Sequence, residues 1–219
     1  MKLKCVLFDF DGVIADSENG VYEYLKKAFL PYGVYLTEKD KLSYIGTSGI
    51  QCIQNTIDSN HLELTVEKLM EEKMKLGNYY EDSEDLAPMP GAVELLQLLK
   101  KSGIRTGLVS STRSSFILAA LNRMNMISYF DVIICGDMIK ERKPSPEGYL
   151  KAASLLKVKS EECIVIEDSP TGIRAAKAAG IFVIGYKGSE VLQNTSEADI
   201  EIHKFSECLD IEKLNSMLK

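Results

Sequence analysis

The chain has 219 residues, 45% hydrophobic and 26% charged, the balance of a globular protein with a real core and not of a disordered or fibrous one. Its net charge of -6 speaks against a nucleic-acid surface, and no apolar run approaches the ~20 residues that a membrane span needs. Five cysteines without a CxxC pair point to reduced thiols, and two histidines are too few for a multi-histidine metal site, so acid–base work falls to carboxylates.

Taken in chain order, residues 5–10 predict a buried strand ending in Asp9-Phe10-Asp11-Gly12. Residues two apart on a strand face one side, so both carboxylates are expected to point together. Two anions that close call for a cation or a shared proton between them. Residues 17–87 carry no strand signal. Val21, Leu25, Ala28 and Phe29 share a helical face before Pro31, further helices are predicted near 48–58 and 65–80, and 81–85 reads as an acidic connector. From residue 88 strands and helices alternate. Strands are predicted at 104–110, 132–135, 163–167 and 181–185. The helical faces between them are Ala92, Leu95, Leu96 and Leu99; Ile117, Leu118, Leu121 and Met124; and Tyr149, Ala152, Ala153 and Leu156. A helix over 171–179 is stopped by Gly180, and a last one covers 211–218. Strands rich in Val, Ile and Leu without strict alternation belong to a sheet covered on both faces. The expected class is α/β: a doubly wound, mainly parallel core sheet from residues 1–16 and 88–219, with an inserted α-helical cap domain at 17–87.

Four polar groups fall at or just beyond strand ends: Asp9 with Asp11, Ser110-Ser111-Thr112, Lys143-Pro144, and Glu167-Asp168-Ser169. In an open parallel sheet those ends line one crevice. The residue types suit phosphoryl transfer. Mg²⁺ would be held by Asp9 and Asp168 with Glu167 assisting, and Lys143 would help neutralise a phosphate. Ser110 and the following backbone N–H groups would donate to phosphate oxygens. Either Asp9 or Asp11 could attack phosphorus while the other handles the proton. Alone, each motif has a plainer reading as a helix cap, a loop cation or a helix start. Their ordered recurrence at strand ends is what those readings explain poorly.

Asp9-Phe10-Asp11-Gly12-Val13, Leu108-Val109-Ser110-Ser111, Lys143-Pro144-Ser145-Pro146 and Ile166-Glu167-Asp168-Ser169-Pro170-Thr171-Gly172 resemble the four motifs of the haloacid dehalogenase superfamily. The stretch from Asp9 to Ser17, the insertion site and the lysine motif look like the β-phosphoglucomutase-like subfamily. The resemblance implies a Rossmann-like core, with Asp9 as nucleophile and Asp11 as general acid/base that lends its backbone carbonyl to Mg²⁺. Asp168 and Glu167 would complete the protein ligands, and Ser110 and Lys143 would grip the phosphoryl group. Ser111, Thr112, Arg113 and the cap residue Lys75 are further candidates for binding substrate.

Two departures bear on the reaction. Val21 stands where the subfamily commonly has a histidine, and Gly49 where its mutases carry an arginine for a second phosphate. The expectation is therefore a Mg²⁺-dependent phosphatase of a small phosphomonoester, a sugar phosphate or related metabolite, working through an aspartyl-phosphate. A β-phosphoglucomutase-like mutase is the alternative. Cap positions 44–49 are expected to set specificity. A phospho-accepting receiver domain shares the acidic cluster and lysine but would not carry so large a helical insertion. The expected partner is a small phosphorylated metabolite, with no nucleic acid and no membrane, for a monomer in the cytoplasm.

Overall fold

Aliphatic runs build a parallel sheet in the computed structural model, which describes residues 2–45 and 49–217. In chain order the elements are β1 (Cys5–Phe8), α1 (Glu18–Phe29), α2 (Lys41–Tyr44), α3 (Gly49–Ser59), α4 (Val66–Lys75) and α5 (Tyr79–Asp82). There follow α6 (Ala92–Lys101), β2 (Arg105–Val109), α7 (Ser114–Arg123), β3 (Val132–Ile134), α8 (Glu147–Leu155), β4 (Cys163–Glu167), α9 (Pro170–Ala178), β5 (Phe182–Tyr186), β6 (Ile200–Ile202) and α10 (Ile211–Met217). The sheet order is β3-β2-β1-β4-β5-β6, every pairing is parallel, and the class is α/β. β1 lies inside the sheet, with Phe8 opposite both Leu108 and Ile166.

Alternation sorts the strand residues onto two faces. Cys5, Leu7, Val165 and Val183 pack with Tyr149, Ala152 and Ala153 of α8 and Ile173, Ala175 and Ala176 of α9. Val6, Phe8, Leu108, Ile164 and Ile166 are equally buried and alternate with them. Ala92, Leu95, Leu96 and Leu99 of α6, which packs against β2, are fully buried as well. Each large side chain so enclosed stabilises the fold by roughly 1.5–3 kcal/mol relative to exposure. All five cysteines are free thiols, and four of them are buried. Among the described residues no helix is long and apolar enough to cross a membrane.

The chain divides into two compact units, one running up to Asp16 and resuming at Ala87, the other Ser17–Leu86. The second has its own core: Tyr22, Leu25, Ala28 and Phe29 of α1, Ile53 and Ile57 of α3, Val66 and Leu69 of α4.

Several elements differ from the sequence expectation, each for a local reason. The strand predicted over 5–10 ends at Phe8, because the Phe10 carbonyl accepts from the backbone N–H of Val13, Ile14 and Ala15 and turns the chain. The single helix predicted over 65–80 is two. Gly77 follows α4 at φ +96, a conformation strained for any L side chain. Asn78 then starts α5 by accepting from Glu81 N, so the supposed acidic connector begins as helix. On α1 the inward residue is Tyr22, with Val21 half-buried. Leu118 is 42% exposed, and Ala120 takes its place on the buried face of α7. The edge strand β6 is too short and too charged around Glu201 to show as a strand signal. The predicted helix residues Ser48 and Leu218, and 46–48 of the specificity stretch, lie outside the described residues.

Candidate active site

Asp9, Ser110 and Asp168 each occupy the first position after a strand, on the three adjacent strands β1, β2 and β4. The ladder continues far enough to hold two of them. Asp9 N donates to the Ile166 carbonyl at 3.0 Å, and Ser110 N donates to that of Ile134 at 2.9 Å. Lys143 comes from the loop between β3 and α8. That loop is tied down by Glu147, whose carboxylate accepts from the backbone N–H of Lys140 at 3.0 Å and of Glu141 at 2.9 Å.

The Lys143 ammonium lies between two carboxylates, 2.5 Å from Asp9 Oδ1 and 2.7 Å from Glu167 Oε1. Burial alone would favour its neutral form, but Asp9 and Glu167 outweigh that and hold it protonated, well above the ordinary lysine range. The face of Tyr149 lies 5.1 Å from Nζ. The Asp9 carboxyl is raised too, which in an acid favours the neutral form. Burial pushes its carboxyl up to about 7, Lys143 pulls it back only in part, and Glu167 and Asp11 add to the rise.

Glu167 is fully buried and bonded at both oxygens. Oε1 accepts from Lys143 and, at 3.3 Å, from the Tyr149 hydroxyl. Oε2 accepts from Ser169 N at 2.8 Å and from Ser169 Oγ at 3.0 Å. Ser169 also caps α9 by accepting from Gly172 N. Gly172 is glycine for want of space, since a Cβ there would stand 1.4 Å from Glu167 Oε1.

Asp9, Glu167 and Asp168 each offer a carboxylate oxygen within 4.8 Å of the others, the one such group of three among the described residues. Once ionised, three carboxylates against one ammonium leave two negative charges, and the donors are all hard oxygens. Both facts fit a divalent cation such as Mg²⁺. Gln193 Nε2 donates to Asp168 Oδ2 at 3.0 Å.

The remaining candidates are placed as follows. Asp11 reaches the cluster through a turn, not by strand alternation, and its Oδ2 accepts from Thr112 Oγ1 at 3.0 Å. Ser110 is buried, and its Oγ accepts from Thr112 N at 3.0 Å. Ser111 and Arg113 are exposed, with Arg113 at the start of α7. Lys75 is exposed at the end of α4, in the other unit. Ser169 and Gly172 stand in the fourth motif without a role of their own in the sequence reading, and Tyr149, Glu147 and Gln193 fall outside the motifs. Tyr149 reads from its spacing as a plain core residue, and nothing local to Gln193 in the sequence marks it.

Comparison with known proteins bears on the family of the chain. The model of the haloacid dehalogenase-like hydrolases matches residues 6–186. A phosphorylated carbohydrates phosphatase of Thermotoga maritima is 34% identical over 183 residues, 82% of each chain. Validoxylamine A 7'-phosphate phosphatase of Streptomyces hygroscopicus subsp. limoneus is 31% identical over 206 residues, 93% of this chain and 95% of that one. The crystal structure of CbbY from Rhodobacter sphaeroides in complex with phosphate has a TM-score of 0.80 at 27% identity, covering 94% of this chain and 96% of that one.

Two predictions follow from the cluster. On helix propensity alone Gly172→Ala would stabilise α9 by about 1 kcal/mol. The collision with the Glu167 carboxylate is expected to reverse that sign, lowering the melting temperature and Mg²⁺ affinity together, and a more stable variant with parental affinity would refute the close approach. The second concerns pH. An acid whose folded pKa stands above its unfolded value destabilises the metal-free chain as pH climbs from about 4 to about 7, and by a constant amount above that. A cation must displace the Asp9 proton below that window's upper edge. Added Mg²⁺ should therefore raise the melting temperature more at about pH 7.5 than at about pH 5.5, where protons compete for Asp9. Equal gains at both would count against Asp9 as a ligand.

Proposed function

The chain belongs to the haloacid dehalogenase-like hydrolases, and from that premise we propose that it is a Mg²⁺-dependent phosphatase of a small phosphomonoester, a sugar phosphate or related metabolite. The observation that carries the reading is the buried cluster in which Lys143 bridges Asp9 and Glu167 while Asp168 completes a three-carboxylate group. The residues 1–16 and 88–219 are then the catalytic core and 17–87 the cap.

Asp9, Asp168 and, less directly, Glu167 would hold Mg²⁺, with the Asp11 backbone carbonyl. When bound, the ion offsets the carboxylate charge and draws charge from the phosphoryl oxygens. Lys143 keeps a fixed positive charge beside Asp9, where charge develops on the transferring group. The Asp9 carboxylate attacks phosphorus and forms an aspartyl-phosphate, and Asp11 protonates the leaving oxygen. Asp11, now ionised, takes a proton from the water that hydrolyses the aspartyl-phosphate. The buried Ser110 hydroxyl and the N–H groups after it donate to phosphoryl oxygens, and exposed Ser111 and Arg113 supply outer contacts.

Hydrolysis is favoured over a mutase reaction because Val21 and Gly49 place neither a proton carrier nor a cation at two positions where mutases of the subfamily use one. The names of the two relatives, both phosphatases, support the same choice.

Asp9→Asn removes the nucleophile while keeping the shape of the side chain. With Mg²⁺ and p-nitrophenyl phosphate, kcat should fall by about 10⁴-fold or more with the melting curve still cooperative. Full activity in the variant would end the nucleophile assignment. A screen of phosphorylated metabolites, with phosphate release as readout, tests the reaction class. Conversion of β-glucose 1-phosphate to glucose 6-phosphate without net phosphate release would make the protein a mutase.

A further inference from the structure

Thr112 was read from the sequence as a substrate contact, but its hydroxyl is turned to Asp11, donating to Oδ2 at 3.0 Å. We propose that Thr112 is a positioning residue that fixes Asp11 for proton transfer and sets its spacing from Ser110. The inference rests on Asp11 being the acid–base group of the phosphatase reading.

The residue is held on both sides of its Cα. Its N–H donates to Ser110 Oγ at 3.0 Å, and its carbonyl accepts from Gly136 N at 2.9 Å. The turn that follows is pinned by Asp137, whose two oxygens accept from Ser114 N at 2.8 Å and Ser114 Oγ at 2.7 Å. A hydroxyl on so anchored a backbone has only its χ1 rotamers to choose from, so the Asp11 carboxyl meets a donor in a fixed place. Donation to Oδ2 has a chemical consequence. It ties one carboxyl oxygen to an anchored hydroxyl, which fixes the plane in which Asp11 presents its proton. The Thr112 N–H bond likewise occupies a lone pair of Ser110 Oγ and leaves that hydroxyl's proton to be donated elsewhere. One side chain and its own amide thus orient the group proposed for the leaving oxygen and the group proposed for the phosphoryl oxygens.

The step that depends on this is the first half-reaction. The bond from Asp9 to phosphorus forms as the bond from phosphorus to the leaving oxygen breaks, and the Asp11 proton moves to that oxygen. The alcohol leaves neutral, and Asp11 remains as a carboxylate. A leaving group that is stable as an anion needs this proton little, and one that is not needs it much. kcat/KM reports only the steps through that cleavage, so it isolates the effect.

The test compares p-nitrophenyl phosphate with phenyl phosphate, which has nearly the same shape but a much more basic leaving oxygen. Thr112→Val, which keeps the amide and loses the hydroxyl, is expected to lower kcat/KM for phenyl phosphate about fivefold more than for p-nitrophenyl phosphate. Thr112→Ser, which keeps the hydroxyl, should hold the parental ratio. Adding Thr112→Val to Asp11→Asn should cost little more than Asp11→Asn alone. Equal losses on both substrates, or additive losses in the double variant, would overturn the proposal and return Thr112 to a substrate contact. Should Thr112→Val melt well below the parent, Thr112→Ala serves the same comparison. A parent enzyme that hydrolyses neither ester brings down the phosphatase reading, and this inference with it.

Discussion

One buried ammonium holds the site together. Lys143 stands 2.5 Å from Asp9 Oδ1 and 2.7 Å from Glu167 Oε1, with its side chain only 8% exposed. Removing either carboxylate would leave a buried charge short of a partner, and breaking a pair of this kind typically costs about 3–5 kcal/mol. Such an arrangement is poor evidence of stabilisation as such. Its effect is geometric: it locks a residue after β1 and the last residue of β4 to a loop that follows β3. The sheet order makes this possible, because β1 lies between β2 and β4 and the ends of all three open on one side.

The rest of the site exists to keep that lock in register. Glu147 fixes the lysine loop from its far end through two backbone N–H groups. Ser169 fixes Glu167 and in the same contact caps α9, so the helix start and the carboxylate position are not independent. Gly172 removes the one Cβ that would evict the carboxylate. A motif that reads as a helix start is therefore a helix start and a charge socket at once. The plainer reading of Glu167-Asp168-Ser169-Pro170 was true and incomplete.

Much of this was legible from residue order. The five apolar runs that read as buried strands are all strands of the sheet, and the polar motifs do fall one residue past or near their ends, because a buried parallel strand writes itself as a dense aliphatic run. What could not be read was set by contacts distant in sequence. Tyr149 lies on a helix face that looks like ordinary core, and its hydroxyl meets a carboxylate 18 positions later. Gln193 meets Asp168 from a loop without any motif. The Asp9–Asp11 pair was read through strand alternation, whereas the turn centred on the Phe10 carbonyl sends one carboxylate to Lys143 and the other to Thr112. Backbone turns of that kind have no periodic signature.

The hydrogen-bond inventory also separates the two acids of the last motif. A carboxylate has about four lone-pair sites. Glu167 already accepts from Lys143, Tyr149, Ser169 N and Ser169 Oγ, so direct contact with a cation would have to share or displace one of these. Asp168 takes the Gln193 amide on Oδ2 and carries no ammonium of its own to hold, while its carboxylate stands in the three-carboxylate group. In the proposed enzyme Asp9 and Asp168 are then the principal holders of Mg²⁺. Glu167 serves first as the counter-charge that keeps Lys143 in place. An Asp at position 167 would be one methylene shorter and could not span from Ser169 to Lys143 without giving up one end. The longer glutamate is what a residue must be to hold both.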